Sequence, residues 1–272
     1  MNGAALPAGE VHGMKRIVFV VSLLVWSATT HARAAETTST VTVFAAASLR
    51  EAFEAAAPAF TKRTGVAVTF NFAGSDALEQ QIAQGAPADV FASANEIQMK
   101  KAGDGGLLAS TPKTFVHNRL VAIVPKNNPA HVAAIADLAK PGVKVVLAAQ
   151  TVPVGNYARA TFKKLDGQTG FAANFDAAVE KNVVSNELDV KAVATKISLG
   201  EGDAGIVYLT DLTPSLASTV RQVTFPSGVV GDIAYPIAAL KGAANPSAAQ
   251  AFVDFVLSDG QPFLKVRGFL AP

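Results

Sequence analysis

Short apolar runs alternate with amphipathic segments along the chain from residue 40 onward. The runs are bounded by glycine, proline or polar residues, which is typical of buried strands. The segments between them place apolar residues three or four positions apart, which predicts helices. We predict strands over 41–46, 66–72, 89–92, 118–125, 143–148, 204–208, 220–225 and 233–240. We predict helices from residue 48 to the glycine at 65, and over about 76–84, 96–102, 156–165, 188–199, 246–257 and 261–267.

Repeated strand–helix–strand units predict an α/β fold with mostly parallel, doubly wound sheets covered by helices on both faces. A chain of 272 residues is long enough for two such domains. The segments near Asn118 and between 224 and 235 are the places where we expect the chain to cross between them. We therefore predict domain I over 38–118 plus 232–272 and domain II over 119–231.

The N-terminus has the pattern of a secretory signal peptide over residues 1–34. Lys15 and Arg16 form a positive region, an apolar run covers 17–28, and the small-residue pattern at 32–34 predicts cleavage after Ala34. The apolar run is shorter than the roughly 18–20 residues of a membrane-spanning helix. Met14 is an alternative translation start, because residues 1–13 do not resemble the start of a signal peptide. We therefore expect a soluble protein of the bacterial periplasm.

Charge and cysteine content exclude several classes of function. Without residues 1–34 the chain has 20 basic and 20 acidic residues, and no basic stripe suggests nucleic-acid binding. The sequence has no cysteine. This excludes thiol nucleophiles, cysteine-ligated metals and a lipid anchor on an N-terminal cysteine.

Other motifs are better explained by structure than by chemistry. The sequence GEGDAG at 200–205 matches the dinucleotide-binding fingerprint, but it follows a predicted helix and opens a strand, the reverse of the required order. We interpret it as a glycine turn that ends a helix. His117 and His131 are far apart, show no metal-ligand spacing and are expected at the surface. A serine hydrolase is conceivable with Ser48 or Ser75, but the sequence lacks a Gly-x-Ser-x-Gly nucleophile turn.

Two serines stand where an apolar strand turns into a helix. Ser48 follows the first strand, and Glu51 three residues later predicts a capping box; Ser75 follows the second strand. The first N–H groups of a helix lack partners, so such turns are also potential anion sites. Further helix starts lie at 153–155 and 186–190, with Asn186 or Asp189 as possible caps. Tyr208 ends a buried strand, where ligands bind in open α/β sheets.

Ser48, Ser75, the helix start at 153–155 and Tyr208 lie in motifs that together resemble the periplasmic molybdate-binding proteins of ABC importers, the ModA family. The resemblance covers nearly all of the chain after the signal peptide, in order. The motifs are FAAASL (44–49), FAGS (72–75), GAPADVFASA (85–94), VPVGNYA (152–158), NVVS (182–185), GDAGIVY (202–208) and YPI (235–237). The resemblance implies a type II periplasmic binding fold, with the oxyanion held in the cleft between two domains.

The resemblance also implies the binding residues. Ser48 and Ser75 would bind the anion through their hydroxyls, Val154 and Val190 through backbone N–H groups, and Tyr208 through its phenol. No cofactor is expected, and molybdenum would be bound only as the molybdate oxyanion, without direct metal ligands. The stretch before Val190 is longer than in some relatives, and Asp189 beside it is expected to point away and cap the helix.

Such a site offers only neutral hydrogen-bond donors, which can hold a dianion because they are oriented before it arrives. A protonated anion such as hydrogenphosphate would find no acceptor for its proton. This favours molybdate, tungstate and sulfate. We expect a monomeric binding protein, and no enzyme, that closes on the anion and delivers it to a membrane permease. A binding protein for another oxyanion such as sulfate, a secreted hydrolase and the effector domain of a regulator are the alternatives. The signal peptide and the absence of a helix-turn-helix pattern disfavour the last.

Overall fold

The computed structural model describes residues 39–272 and Met1. Apart from that methionine, the predicted signal peptide over 1–34 lies outside the described residues. Within the described part of the chain, no helix is long and apolar enough to cross a membrane.

Ten strands are present in the described chain, most of them close to the predicted positions. They are β1 (Thr40–Ala46), β2 (Ala67–Ala73), β3 (Val90–Ala92), β4 (Lys113–His117), β5 (Leu120–Pro125), β6 (Val145–Ala148), β7 (Val183–Glu187), β8 (Ala204–Tyr208), β9 (Val220–Thr224) and β10 (Ala234–Ala239).

Nine α-helices are present in the same part of the chain. They are α1 (Arg50–Thr64), α2 (Ser75–Ala83), α3 (Glu96–Asp104), α4 (Pro153–Leu165), α5 (Phe175–Lys181), α6 (Val190–Ser198), α7 (Pro214–Thr219), α8 (Pro246–Leu257) and α9 (Gln261–Val266). Short 3-10 helices lie at Ala47–Leu49, Ile135–Ala139 and Leu209–Asp211. The sequence pattern did not predict β4, β7, α5 or α7.

The strands form two five-stranded mixed sheets, and this confirms the predicted two-domain α/β architecture. One sheet has the order β2-β1-β3-β10-β4 and the other the order β7-β6-β8-β5-β9. In each sheet a single strand is antiparallel to its neighbours: β10 in the first and β5 in the second. We call the sheet β2-β1-β3-β10-β4, with the helices packed on it, the first lobe, and the sheet β7-β6-β8-β5-β9, with its helices, the second lobe.

The two antiparallel strands are those that follow a crossing between the sheets. The chain leaves the first sheet after His117 and enters the second at Leu120, then returns between Thr224 and Ala234. At this junction the Asn118 N–H donates to Ile233 O at 3.0 Å, so the outgoing and returning segments lie side by side. The residue boundaries that we predict for the two domains remain a prediction.

Apolar packing fixes the helices that carry the predicted site. In the first lobe, Phe53 and Phe60 of α1 pack edge-on against Phe252 of α8, with ring centroids 5.7 and 5.3 Å apart. In the second lobe, α6 lies so close to β8 that a Cβ on Gly205 would be 2.8 Å from side-chain atoms of Val193 and Ile197. The starts of these helices are therefore held in place by the cores behind them.

Candidate functional site

A small cavity lies between the two lobes, and all five predicted ligand-binding residues line it. The space open to the centre of a water-sized sphere is about 10 Å³, the room that one water molecule needs. The remaining lining residues are small or apolar, except for one aspartate. The lining consists of Ala46, Ala47, Ser48, Ala73, Gly74, Ser75 and Ala94 from the first lobe, and Val152, Pro153, Val154, Asp189, Val190 and Tyr208 from the second.

Ser48 is brought to the cavity by a 3-10 turn, and the predicted capping box is wrong. The turn Ala47–Leu49 shifts the N-cap of α1 to Leu49, and no side chain caps that helix. The Ser48 hydroxyl is instead 3.0 Å from the hydroxyl of Tyr235 on β10. Ser48 is only 3 % exposed, so this buried hydroxyl serves the cavity and not the end of the helix.

Ser75 is the first residue of α2, after Gly74 at the N-cap. Its Oγ accepts a hydrogen bond from the backbone N–H of Ala94 at 3.0 Å. The first helical bond is donated by the Leu78 N–H to Gly74 O, so the N–H groups ahead of it have no partner within the helix. The cavity therefore receives both a hydroxyl and the positive end of a helix at this point.

Val154 and Val190 hold corresponding places at two helix starts of the second lobe. In α4, Pro153 has no N–H, and the Asn156 N–H already bonds to Val152 O. The N–H groups of Val154 and Gly155 are therefore the ones left without a helical acceptor. In α6, the Asp189 side chain accepts from the Ala192 N–H at 2.9 Å, which leaves the N–H groups of positions 190 and 191. Asp189 thus caps α6, as predicted.

Gly155 allows the first turn of α4 to pack closely against the end of β6. A Cβ at this position would lie 2.2 Å from Ala149 O and 2.3 Å from Ala148 O. Any side chain here would push the start of α4, and the Val154 N–H with it, away from the cavity. The glycine in the VPVGNYA motif therefore has a direct geometrical role.

Tyr208 ends β8 with its hydroxyl buried at the cavity. Among the described residues, this hydroxyl has no hydrogen-bond partner, although Tyr208 is only 1 % exposed. Burial, followed by the nearby Tyr235 and Tyr157, raises the pKa of Tyr208, so the phenol keeps its proton. A buried donor without an acceptor is costly, which makes it a candidate contact for a ligand.

No lysine or arginine lines the cavity, and Lys191, which follows Val190 in the sequence, is paired with carboxylates. Lys191 Nζ lies 2.8 and 2.9 Å from the two carboxylate oxygens of Glu51 in the first lobe, and 3.1 Å from Asp211 Oδ1 in the second. Burial lowers the pKa of Lys191, but Asp211 and Glu51 outweigh this effect and the pKa is raised overall. Burial raises the pKa of Asp211, whose other oxygen accepts from the Tyr208 N–H at 3.0 Å.

Thr151 makes a second contact between the lobes. Its hydroxyl donates to Asp76 Oδ2 at 2.7 Å, and its carbonyl accepts from Gln98 Nε2 at 3.0 Å. With the Lys191–Glu51 pair, these bonds tie the first lobe to the second. The arrangement is that of two lobes closed around a small internal space.

The other sequence motifs do not contribute to this cavity. Gly200, with φ of +76°, ends the turn after α6, as we predicted for the GEGDAG segment. His117 Nδ1 lies 2.6 Å from Asp232 Oδ1, and His131 is exposed. No cluster of three or more potential metal-ligating side chains exists among residues 39–272.

Sequence reasoning missed the residues behind the cavity wall. Tyr235 lies in the YPI motif, but we assigned it no role, and Asn118 was noted only as the start of a strand and the place of a domain crossing. Both are buried polar residues that hydrogen-bond to each other at 3.1 Å. A tyrosine within an apolar strand is a usable signal, because a buried phenol needs a partner.

Comparisons with known proteins agree with this architecture. Residues 41–270 match the family model described as bacterial extracellular solute-binding protein. A molybdate-binding protein, ModA, of Mycobacterium tuberculosis is 40 % identical over 236 residues, covering 85 % of each chain. The substrate-binding domain of a putative molybdenum ABC transporter from Clostridium difficile has a TM-score of 0.62 and 31 % identity, covering 86 % of this chain and 99 % of that one. The sulfate-binding protein SubI of M. tuberculosis, with a TM-score of 0.75 and 21 % identity over 85 % of this chain and 86 % of that one, shares the fold.

The chain therefore belongs to the bacterial extracellular solute-binding proteins. Within that family it groups with the ModA proteins, which confirms the resemblance found in the sequence motifs.

Proposed function

We propose that this protein captures molybdate, and also tungstate, in the cavity between its lobes and delivers it to an ABC importer. The observation that carries the proposal is the convergence of five neutral donors on one small cavity. The hydroxyls of Ser48, Ser75 and Tyr208 and the N–H groups of Val154 and Val190 supply these donors. A set of fixed dipoles without a counter-charge suits a dianion that needs no proton acceptor.

The size of the cavity supports a compact ligand. An oxyanion must widen a space of about 10 Å³ by a small parting of the lobes, whereas an extended organic ligand would need the lobes far apart. The ligand would enter an open form, and closure would complete the donor set. The Lys191–Glu51 pair and the Thr151 bonds would hold the closed form.

Sulfate is the second candidate, because it is also a fully deprotonated tetrahedral dianion. The sulfate-binding SubI shares the fold but has only 21 % sequence identity, so it does not favour sulfate for this chain. A serine hydrolase has less support. Ser48 bonds to Tyr235 and Ser75 to a backbone N–H, and within residues 39–272 neither hydroxyl bonds to a histidine or a carboxylate that would act as a base.

Isothermal titration of residues 35–272 against molybdate, tungstate, sulfate and phosphate tests the proposal. We expect strong binding of molybdate and tungstate at micromolar protein concentration, weaker binding of sulfate and by far the weakest binding of phosphate. Absence of heat with molybdate would refute the proposed ligand. Preferential binding of sulfate would show that the ligand is sulfate and not molybdate, and the assignment of the site would stand.

Secretion, oligomeric state and partner are part of the same proposal. The protein would be exported by a signal peptide cleaved after Ala34, act in the periplasm as a monomer and dock on a membrane permease. N-terminal sequencing of the secreted protein tests the cleavage site, and sedimentation with and without molybdate tests the monomer. Molybdate-stimulated ATP hydrolysis by the reconstituted importer tests the partner.

A further inference from the structure

Behind the cavity wall, a chain of hydrogen bonds leads to the hydroxyl of Ser48. Tyr235 on β10 is fully buried, and its hydroxyl is 3.0 Å from Ser48 Oγ and 3.1 Å from Asn118 Nδ2. Asn118 lies in the segment where the chain crosses from the first sheet to the second. Neither Tyr235 nor Asn118 lines the cavity.

The direction of these bonds follows from the orientation of the Asn118 amide. Asn118 Oδ1 accepts from the N–H of Arg119 at 2.9 Å, which places the amide nitrogen on the other side. That nitrogen is a donor only, and its two neighbours are Tyr235 at 3.1 Å and Thr210 Oγ1 at 2.9 Å. The Tyr235 oxygen therefore accepts from Asn118, and its own hydrogen is available for Ser48 Oγ.

The Ser48 oxygen then accepts from Tyr235, so the Ser48 hydrogen is free to point into the cavity. Burial raises the pKa of Tyr235, which keeps the phenol a donor. Ser75 is set in the same way, because the Ala94 N–H can only donate to its Oγ. Each serine oxygen is thus occupied by a fixed donor from behind and presents a hydrogen in front.

We propose that Asn118 and Tyr235 are positioning residues that orient the Ser48 hydroxyl as a donor, and thereby make the site select fully deprotonated oxyanions. Without Tyr235, the Ser48 oxygen would be free to accept the proton of an anion such as hydrogenphosphate. The inference rests on the proposed function and adds to it the residues that determine discrimination by protonation state. Asn118 also donates to Thr210 Oγ1, just after β8, and the Leu209 N–H donates to Arg119 O, so the second lobe helps to hold the amide in this orientation.

The test is the ratio of molybdate affinity to hydrogenphosphate affinity, measured by phosphate competition against molybdate near pH 7.5. In Tyr235→Phe, we expect molybdate affinity to fall and the ratio to fall by about tenfold or more, the effect of one hydrogen bond gained or lost at an anion. In Asn118→Asp, the carboxylate would accept the Tyr235 hydrogen, so the direction of the Asn118–Tyr235–Ser48 hydrogen bonds, which we call the relay, would reverse. We expect the same fall in the ratio. Asn118→Asp also decides the test if Tyr235→Phe does not fold.

Tyr157→Phe is the matched control. Tyr157 is another partly buried tyrosine, on α4; it does not line the cavity, and the bonds described for Ser48 and Asn118 do not include it. We expect the ratio in this variant to equal that of the unchanged protein. A purely structural role of Tyr235 would weaken both anions equally and keep the ratio constant. Constant ratios in Tyr235→Phe and Asn118→Asp, with molybdate bound by the unchanged protein, would refute the relay; failure of the unchanged protein to bind molybdate would refute the proposed function itself.

Discussion

Replacement of Ser75 by alanine separates the role of this serine in binding from its role in stability. The change removes the hydroxyl hydrogen that faces the cavity, and a hydrogen bond to an ion contributes about 1.5–3 kcal/mol. Molybdate affinity should therefore fall by about 10- to 150-fold. The change also removes the acceptor of the Ala94 N–H, which costs about 1–3 kcal/mol when the N–H stays dry. Because Ala94 lines the cavity, water can replace the acceptor, and we expect about 1 kcal/mol and a melting temperature lower by about 2–4 °C.

Titration calorimetry measures the affinity, and thermal unfolding without ligand measures the stability. Ser93→Ala is the control, because the Ser93 hydroxyl is equally buried and bonds to the backbone of Asn95 but does not line the cavity. It should lower the melting temperature and leave molybdate affinity unchanged. A folded Ser75→Ala protein with affinity within a factor of about two of the unchanged protein would contradict the assignment of this hydroxyl to the anion.

Three further predictions concern closure and pH. Glu51→Gln breaks the ion pair across the lobes and should weaken molybdate binding by about 1.5- to 5-fold, as expected for a partly exposed pair. Glu54→Gln, whose partner Arg50 is on the same helix, should leave the affinity unchanged, and equal affinities of the two variants in a salt-controlled titration would contradict this. Gly74→Ala would place a Cβ 2.5 Å from Leu188 O of the opposite lobe and 2.7 Å from Asp76 Oδ1 of its own lobe, a side chain that can rotate away. Calorimetry should therefore show about tenfold weaker binding, with only a small fall in the melting temperature without ligand. Burial raises the pKa of Glu187, but hydrogen bonds from Ser185 and Lys196 outweigh burial and lower the pKa overall. The ionised Glu187 therefore stabilises the folded protein above about pH 4.5, and this contribution is lost as the pH falls through the lowered pKa of the folded state. Urea unfolding between pH 6 and pH 3 should show a weaker pH dependence in Glu187→Gln, and an identical dependence would contradict this assignment.

The regular elements that bury a continuous apolar face could be predicted from the sequence. The strand over 204–208 and the helix over 246–257 lie where the pattern places them, because local periodicity and burial agree there. The edge strand β7 was missed, since every second residue is exposed and the run is not uniformly apolar. Short helices such as α5 and α7 present too few turns for a periodic signal.

The candidate site could be predicted as a set of residues but not as a hydrogen-bond network. All five predicted binding residues line the cavity; four of them lie in the quoted motifs, and Val190 lies at a predicted helix start. The Ser48 side chain was assigned to a capping box on local spacing alone, whereas its partner Tyr235 is 187 positions away in the sequence. Tertiary contacts of this kind are decided by which strands become neighbours, and a local pattern does not encode them.

The helix starts that face the cavity have an electrostatic consequence for the empty protein. The first turn of α2 in one lobe and those of α4 and α6 in the other end on the same cavity, and each helix N-terminus carries about half a positive charge. Closing the lobes without an anion brings these like partial charges together, whereas a dianion between them turns the repulsion into attraction. We therefore expect the bound anion to stabilise the closed form electrostatically. The protein should favour the open form without the anion and the closed form with it.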